Sequence, residues 1–353
     1  MKKSTSMIVS LAMVLSLSLN IAAMAQSKGP VQSFIEALEV GEPIYYENLT
    51  IVPIYSTQIK DRTAYYALDE ALANNWISIN ELEGGQVPQV MISNNSNKYI
   101  YIMGGEILTG CKQDRIVGRD VLIKPKSKNV IVPVYCVEQG RWNYESEKFY
   151  SKSNLGTHEL RSAAQKGAPE AQSSIWGKVA GYSRRLSVSS ETGNYQDIFE
   201  DEAVAQKCSV IENHIKDIPN LNRDTVGIAV GLGSRIVSVD IFANPELFRK
   251  LWPKIARSSA LSSVSESANG TITQNMAAAF LRDLHAKTYQ HKTAIDLGYE
   301  LTVSDNQVNA NALVYNGVIH LAAFTPKPDY QSVDDHYKST DPNHERRIPV
   351  IRR

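Results

Sequence analysis

Six short runs of β-branched and aromatic residues between residues 44 and 142 constrain the fold of this chain most strongly. Segments rich in Asn, Gly, Ser and Lys separate these runs at fairly even spacing, and that pattern is typical of a β-sandwich or small barrel. One helix is predicted within the series, at residues 66–75, because apolar residues recur there on one helical face. The predicted strands are 44–46, 49–55, 90–92, 99–103, 121–123 and 130–138.

After Trp142 the sequence changes character. Residues 143–167 are polar and rich in turn formers, which predicts an exposed loop or linker. Helical periodicity follows, and Pro253 is expected to kink the third predicted helix. The predicted helices are 169–182, 198–218, 245–251 and 274–288.

Two hairpins are predicted in the same half. Strands 226–230 and 236–242 flank the glycine-rich segment 231–234, and strands 312–315 and 318–324 flank Asn316-Gly317, a pair that suits a type I′ turn. We therefore expect an α+β protein. Its β-rich sandwich or barrel (44–142) is continuous with a mixed helix and hairpin C-terminal half (168–325), and residues 26–325 together form a single domain.

The N-terminal segment 1–25 resembles a secretory signal. Lys2 and Lys3 precede an apolar core at 7–19, and Ala23-Met24-Ala25 provides small residues for cleavage before Gln26. The apolar core is shorter than the roughly 20 residues that a spanning helix needs. These features predict an exported protein, periplasmic or secreted from a bacterium, without stable membrane insertion after cleavage.

The charge balance of the mature chain argues against one class of partner. Cleavage before Gln26 leaves the segment 26–353 and removes two lysines, so the formal charge changes from zero to −2. A dedicated nucleic-acid-binding protein usually has a basic face, and none is predicted here. Residues 326–353 are charged, polar and proline-bearing, which predicts a disordered tail.

Three cysteines are too few for a disulfide scaffold. Cys208 lies on the apolar stripe of a predicted helix, which indicates a core residue. Cys111 and Cys136 lie close together in the sequence, among consecutive predicted strands. In an oxidising compartment they form a disulfide, or else all three cysteines are buried free thiols; both interpretations remain open.

Familiar catalytic and cofactor motifs are missing from the sequence. Gly231-Leu232-Gly233 lacks the third glycine of a dinucleotide loop, since Ile236 stands there. The chain has no phosphate-binding loop, no nucleophile elbow and no His-Glu-x-x-His pair. His320, in a predicted hairpin strand, is interpreted as structural. We therefore expect no metal site and no cofactor.

The stretch from 104 to 142 concentrates the polar chemistry of the chain. Three glycines surround Glu106 and permit close approach of another group to the backbone. Glu106 and Glu138 are the candidate general acid or base of a hydrolase. Arginine and lysine side chains at strand ends are suited to hold an anionic ligand, and an indole is suited to hold a planar one. The candidate ligand-binding residues are Lys112, Gln113, Arg115, Cys136, Arg141 and Trp142.

Two functions fit this stretch. In the first, the chain binds or processes a small polar ligand, anionic or nucleotide- or sugar-like, in the cell envelope. In the second, Glu106 or Glu138 pairs with Arg115 or Arg141 in a salt-bridge network, and the chain is a non-catalytic structural or interaction module. The substitution Glu138→Gln separates them: a ligand site predicts weaker binding at nearly unchanged stability, and a network predicts a large loss of stability.

Two sequence blocks resemble a known family. They are Gly-Glu-x-Leu-x-Gly-x-Lys-Gln-x-Arg at 105–115 and Pro-Val-x-Cys-x-Glu-x-Gly-Arg-Trp at 133–142. Both resemble the ARG and rhodanese-phosphatase-superfamily-associated protein domain, where ARG stands for ADP-ribosylglycohydrolase. The resemblance extends over about residues 40–325. It implies association with nucleotide or ADP-ribose chemistry, without defining a reaction. Cys111 stands where the family pattern suggests a small residue.

Overall fold

The computed structural model describes residues 28–58, 61–82, 88–167 and 170–326. The predicted leader at 1–25 and residues 327–353 of the predicted tail lie outside the described residues. Helices and strands alternate irregularly along the chain, which confirms the α+β class. The helices are α1 (Pro30–Glu36), α2 (Leu68–Ala73), α3 (His158–Lys166), α4 (Ala171–Leu186), α5 (Gln196–Glu200), α6 (Glu202–Ile215), α7 (Pro245–Ser265) and α8 (Gln274–Ala286), with a 3₁₀ turn at Ile218–Asn220.

The strands are short, as their sequence spacing predicts. They are β1 (Glu39–Val40), β2 (Ile44–Tyr46), β3 (Leu49–Tyr55), β4 (Tyr65–Ala67), β5 (Ile77–Glu81), β6 (Gln89–Asn94), β7 (Tyr99–Ile102), β8 (Ile107–Gly110), β9 (Arg115–Val117), β10 (Val121–Ile123), β11 (Val130–Cys136), β12 (Phe149–Tyr150), β13 (Thr225–Leu232), β14 (Arg235–Phe242), β15 (Gln290–Thr293), β16 (Tyr299–Ser304), β17 (Asn309–Val314) and β18 (Val318–Phe324).

The largest sheet has nine strands and draws on both halves of the chain. Its order is β1-β3-β13-β14-β18-β17-β16-β15, and β2 also pairs with β3. Strands β13, β17 and β18 are buried along their whole length because both faces of the sheet are covered. One face packs against α1 and α8 through an apolar core that includes Phe34 and Leu281.

The N-terminal β-rich stretch supplies a second, barrel-like body. A six-stranded sheet, β12-β8-β9-β11-β6-β5, and a three-stranded sheet, β10-β7-β4, surround one apolar core that includes Ile92, Ile102 and Val134. The predicted barrel-like character of this region is therefore confirmed. Strand β3, however, leaves this body and pairs with β13 of the nine-stranded sheet.

Three local predictions are wrong. The predicted helix 198–218 is divided, because Asp201 is extended between α5 and α6. Residues 143–167 are not simply an exposed loop, because they contain β12 and α3, and Leu155 and Thr157 are buried. The third predicted helix does not end at Leu251: α7 continues through Pro253 to Ser265. Its length reflects burial against β13 and β14, since Trp252, Ile255 and Leu261 lie in the apolar core that α7 shares with these strands.

The hairpin predictions are confirmed. Leu232 pairs with Arg235, so Gly233-Ser234 forms a two-residue turn between β13 and β14. Asn316 and Gly317 connect β17 to β18 with φ values of 56° and 124°. No helix in the described part of the chain has the length and apolar character to cross a membrane.

Charged groups fill the junction between the barrel-like body and the rest of the protein. Arg161 of α3 donates two hydrogen bonds to Asp240 of β14, at 2.9 and 2.6 Å. His320 of β18 lies between Asp240 and Asp120, with nitrogen–oxygen distances of 3.2 and 2.7 Å. Lys254 of α7 pairs with Glu106 and with Asp69. These pairs connect the two bodies across a largely buried interface.

Candidate functional site

Seven of the eight predicted site residues lie together at one end of the six-stranded sheet. The connection between β8 and β9 carries Lys112 and Gln113, and β9 begins with Arg115. The segment after β11 carries Glu138, Arg141 and Trp142. Cys136 lies beside these residues, because it is the direct antiparallel partner of Arg115. The short β8–β9 connection and this antiparallel pairing bring the two segments to the same end of the sheet.

Glu106 lies apart from this group. Its carbonyl accepts a hydrogen bond from Val117, and Val117 is the partner of Val134. Glu106 is therefore level with Val134, about 13 Å along β11 from Glu138 at roughly 3.3 Å per residue. The two carboxylates predicted as candidate general acid or base therefore do not face a common site.

Glu138 is the centre of the group. Its carboxylate accepts hydrogen bonds from Arg141 Nε at 2.8 Å, Thr192 Oγ1 at 2.8 Å and the Asp114 amide at 3.1 Å. Arg141 Nη2 lies 2.6 Å from the other carboxylate oxygen. Burial disfavours the charge, but these donors outweigh it, and they hold the pKa of Glu138 below its ordinary value.

Asp114 is a second buried carboxylate beside Glu138. It accepts hydrogen bonds from the Gly110 amide at 2.9 Å, from Arg141 Nη2 at 3.1 Å and from Asn194 Nδ2 at 3.1 Å. Burial, with a contribution from the neighbouring Glu138 charge, nevertheless raises the pKa of Asp114 to about 6. Arg141 therefore pairs with two carboxylates, Glu138 and Asp114, whose pKa values are shifted in opposite directions.

Arg141 fixes the loop that follows β11. Besides the two buried carboxylates, its guanidinium donates to the carbonyls of Cys111 at 2.7 Å and Asn143 at 3.1 Å. The loop also docks on residue 192: the Gly140 amide donates to the Thr192 carbonyl, and a Cβ at Gly140 would lie 2.9 Å from that backbone. The loop conformation is thus set by charge and by close backbone contact.

The remaining polar residues of the group are held in the interior. Arg115 is 2% exposed, donates to Gln113 Oε1 at 3.1 Å and lies 3.8 Å from Glu81. Gln113 in turn donates to the Glu138 carbonyl at 2.8 Å. Burial lowers the pKa of Arg115. These contacts use the functional groups for internal bonding rather than for contact with solvent.

All three cysteines of the chain are buried free thiols in this structure. Cys136 Sγ donates to the Glu138 carbonyl at 2.8 Å, and burial raises its pKa. Burial likewise raises the pKa of Cys111 to about 11. Neither thiol is activated as a nucleophile, because the thiolate form is disfavoured. Cys208 is a core residue as predicted.

Above this buried cluster lies an exposed surface formed by Lys112, Trp142 and Tyr144, hereafter the aromatic platform. The side chains of Trp142 and Tyr144 are 49% and 63% exposed. Lys112 Nζ lies 5.1 Å from the centroid of each ring. A cation held over two exposed rings provides a stacking surface beside a positive charge.

Glu106 has a separate, internal environment. Its carboxylate is fully buried, accepts a hydrogen bond from the Met103 amide at 2.8 Å and forms an ion pair with Lys254. Burial raises the pKa of Glu106 against the opposing Lys254 charge. The glycines beside it do permit the predicted close approach, since a Cβ at Gly105 would lie 2.3 Å from Arg161 Cγ.

Sequence reasoning missed several members of the cluster. Asp114 lies between Gln113 and Arg115 in the same sequence block, so its position was a usable signal. Tyr144 lies just beyond Trp142 and was equally visible. Thr192 and Asn194 belong to a turn much further along the chain, and nothing in their local sequence indicates this contact.

The fold and the cluster define an α+β protein in which a buried ion-pair network supports an exposed aromatic loop at the edge of a barrel-like sheet. The chain belongs to the family of the ARG and Rhodanese-Phosphatase-superfamily-associated Protein domain, whose model matches residues 37–324. The resemblance of the two sequence blocks is thereby confirmed. No curated protein and no solved structure matches the chain significantly.

Proposed function

We propose that this chain is an exported protein of the bacterial envelope that binds a small, polar, ring-containing ligand on the aromatic platform. The observation that carries the proposal is the position of Lys112 Nζ, 5.1 Å from the rings of both Trp142 and Tyr144. Exposed rings stack on bases and sugar rings, and a lysine beside them attracts phosphate or carboxylate. A nucleotide sugar combines all of these groups.

The buried network beneath the platform supports binding rather than hydrolysis. Glu138 and Glu106 are each engaged in an ion pair inside the protein, with Arg141 and Lys254 respectively. A general base must reach the proton that it abstracts. Either carboxylate would first have to leave its partner, so we assign neither a catalytic step. Both instead fix the backbone that presents the ligand-binding side chains.

The binding test uses ADP-ribose and UDP-glucose as probes, measured by isothermal titration calorimetry. We expect Trp142→Ala to weaken binding by about 5- to 150-fold, because stacking of one base on an aromatic ring contributes roughly 1–3 kcal/mol. Tyr45→Ala is the matched control, since Tyr45 is 48% exposed on β2. That variant should bind like the wild type.

A second measurement does not require the right probe. Native mass spectrometry of the purified mature chain should reveal a small molecule that copurifies with the wild type and is lost from Trp142→Ala. If neither probe binds and several preparations carry nothing, ligand binding is wrong. Intact mass also tests export, since the mature chain should begin at Gln26.

The alternative is a structural or interaction module without a ligand. One observation favours it: Glu138, Asp114 and Arg141 already satisfy one another through hydrogen bonds of 2.6–3.1 Å. In that case neither the wild type nor Trp142→Ala should bind a metabolite, whereas substitution of Glu138 should lower the stability of the protein. Substitution of Trp142 therefore distinguishes the two functions, whereas substitution of the buried Glu138 does not.

A further inference from the structure

Three potential metal ligands meet at a place far from the aromatic platform. His158 and Glu159 begin α3, and Glu266 directly follows the last residue of α7. Their candidate ligand atoms, one imidazole nitrogen and two carboxylate oxygens, all lie within 4.8 Å of one another. His158 is buried, and the two glutamates are partly buried. The fold thus brings together two segments that are distant in the sequence.

The orientation of the imidazole follows from its hydrogen bonds. His158 Nδ1 lies 3.3 Å from Ser262 Oγ, and Ser262 Oγ donates its proton to the Ser258 carbonyl at 2.9 Å. The hydroxyl proton is therefore already used, so Nδ1 must donate to Ser262. Nε2 is then the candidate ligand nitrogen that groups with the two glutamate carboxylates. Metal-binding histidines are typically held in this way through their other ring nitrogen.

The two carboxylates of the group carry negative charge that a cation between them can compensate. Two carboxylates at these separations repel one another unless a cation, or a proton on the imidazole, lies between them. Arg185 approaches Glu159 at 3.8 Å, and Arg235 approaches Glu266 at 3.4 Å. Both distances exceed the roughly 2.7–2.9 Å of a tight charge-assisted hydrogen bond. These arginine contacts are compatible with a metal ion between the two carboxylates.

We propose that His158, Glu159 and Glu266 bind one divalent transition-metal ion, for which Zn²⁺ is the best fit. One nitrogen and two oxygen donors match zinc, whose bonds to them are about 2.0–2.2 Å long. Tetrahedral coordination at that length separates the donors by about 3.3–3.5 Å. Small side-chain rotations achieve this closure from the present spacing. Mg²⁺ fits poorly, because it prefers an all-oxygen octahedral shell.

Three protein ligands leave a fourth coordination position for water, the arrangement typical of catalytic rather than structural zinc sites. Ser262 acts here as a positioning residue, because it holds the imidazole and does not touch the ion. This assignment does not depend on the ligand proposed for the aromatic platform, which is a separate surface.

The test is calorimetric titration of the tag-free mature protein with ZnCl₂, supported by metal analysis of the purified protein. We expect one high-affinity zinc per chain. His158→Gln and Glu266→Gln should each weaken binding by more than about 100-fold, whereas Ser262→Ala should weaken it by about 10- to 100-fold, the range typical of outer-shell partners. His285→Gln is the matched control, since His285 is a partly exposed histidine beside Glu36, and it should bind zinc normally.

A readout on the wild type guards against variants that fail to fold. Co²⁺ in place of zinc should give visible absorption bands of a four-coordinate nitrogen and oxygen site, and added Zn²⁺ should abolish them. Glu159→Gln, whose residue lies at the start of a helix, should shift those bands. Absence of stoichiometric zinc binding, or zinc affinity unchanged in both His158→Gln and Glu266→Gln, would overturn the assignment. The assignment would also be overturned if nitrogen-15 NMR showed His158 as an imidazolium in the presence of zinc.

Discussion

Glu138 accepts hydrogen bonds from a guanidinium, a hydroxyl and a main-chain amide while only 2% of it is exposed. Arg141 has another carboxylate partner, Glu145, whose side chain is 46% exposed. The same cation therefore pairs with Glu138 and Asp114 in the interior and with Glu145 at the surface. Burial determines how much each pair contributes to stability, because water competes effectively only for the exposed one.

This contrast gives the first prediction. Glu138→Gln should lower the free energy of unfolding by about 3 kcal/mol or more, because it leaves the Arg141 guanidinium largely buried without its main counter-charge. Glu145→Gln is the control and should cost less than about 1 kcal/mol. Urea denaturation measures both. Equal effects of the two substitutions would show that the interior pair contributes no more than the surface pair.

His320 gives the second prediction at this scale. Burial alone would lower its pKa, but Asp120 and Asp240 outweigh that effect and raise it above the ordinary value of 6.5. The folded state thus binds the proton more tightly than the unfolded state does. The stabilisation is fully present below about pH 6.5 and is lost as the pH rises through the raised folded-state pKa.

The measurement is the free energy of unfolding of wild type and His320→Gln between about pH 5.5 and 9, a range that brackets the ordinary histidine pKa. The advantage of the wild type should be greatest at the acidic end and should shrink with increasing pH. Asp240 carries an ion pair with Arg161 throughout this range, since its pKa is strongly lowered. A difference between the two proteins that is independent of pH would contradict a charged His320.

At the scale of elements, the β17–β18 hairpin depends on its turn. Gly317 has a φ of 124°, a conformation that side-chain-bearing residues rarely adopt, and no atom lies within 4 Å of where its Cβ would stand. Gly317→Ala therefore probes backbone strain without a steric clash. We expect it to lower the free energy of unfolding by about 1–2 kcal/mol.

Gly177 in α4 is the matched control, because the space around its Cβ position is equally open. Gly177→Ala should stabilise the protein by about 0.5–1 kcal/mol, since alanine favours the helix. Thermal denaturation of the pair is sufficient. Similar shifts in the same direction would mean that the turn does not require glycine.

Across the whole molecule, Lys254 connects the barrel-like body to the long helix α7. Its side chain is 4% exposed and pairs with the fully buried Glu106. Lys254→Met should lower the free energy of unfolding by about 3–5 kcal/mol, because the Glu106 carboxylate is left buried and unpaired. Lys250→Met, one helical turn earlier, removes the more exposed pair with Glu70 and should cost less than about 1 kcal/mol.

The unfolding curves of these variants also test how the two bodies cooperate. Because ion pairs and core packing join them, the wild type should unfold in a single transition when followed by circular dichroism and by tryptophan fluorescence. Lys254→Met should move that transition without dividing it. Two separate transitions in the wild type would show that the barrel-like body and the nine-stranded sheet are independently stable.

Most local features follow from the amino-acid sequence alone. Runs of β-branched residues predict the bounds of β2, β3 and β10, and Asn316-Gly317 predicts its turn, because backbone preferences act over a few neighbouring positions. Seven of the eight site residues lie together because they are on, or directly beside, two paired strands that are close in the chain. The part of α7 that follows Pro253 was not predictable, because tertiary burial outweighs the local cost of proline there.

The long-range partners depend on the tertiary structure. Strand β3 pairs with β13 from the other half of the chain, Glu106 pairs with Lys254, and His158 meets Glu266. The sequence predicts no metal site because it shows no regular ligand spacing, whereas the fold places the candidate ligand atoms of His158, Glu159 and Glu266 within 4.8 Å of one another. The physical reason is that burial and sheet pairing depend on which surfaces meet in the folded chain, and local backbone preferences do not encode that choice.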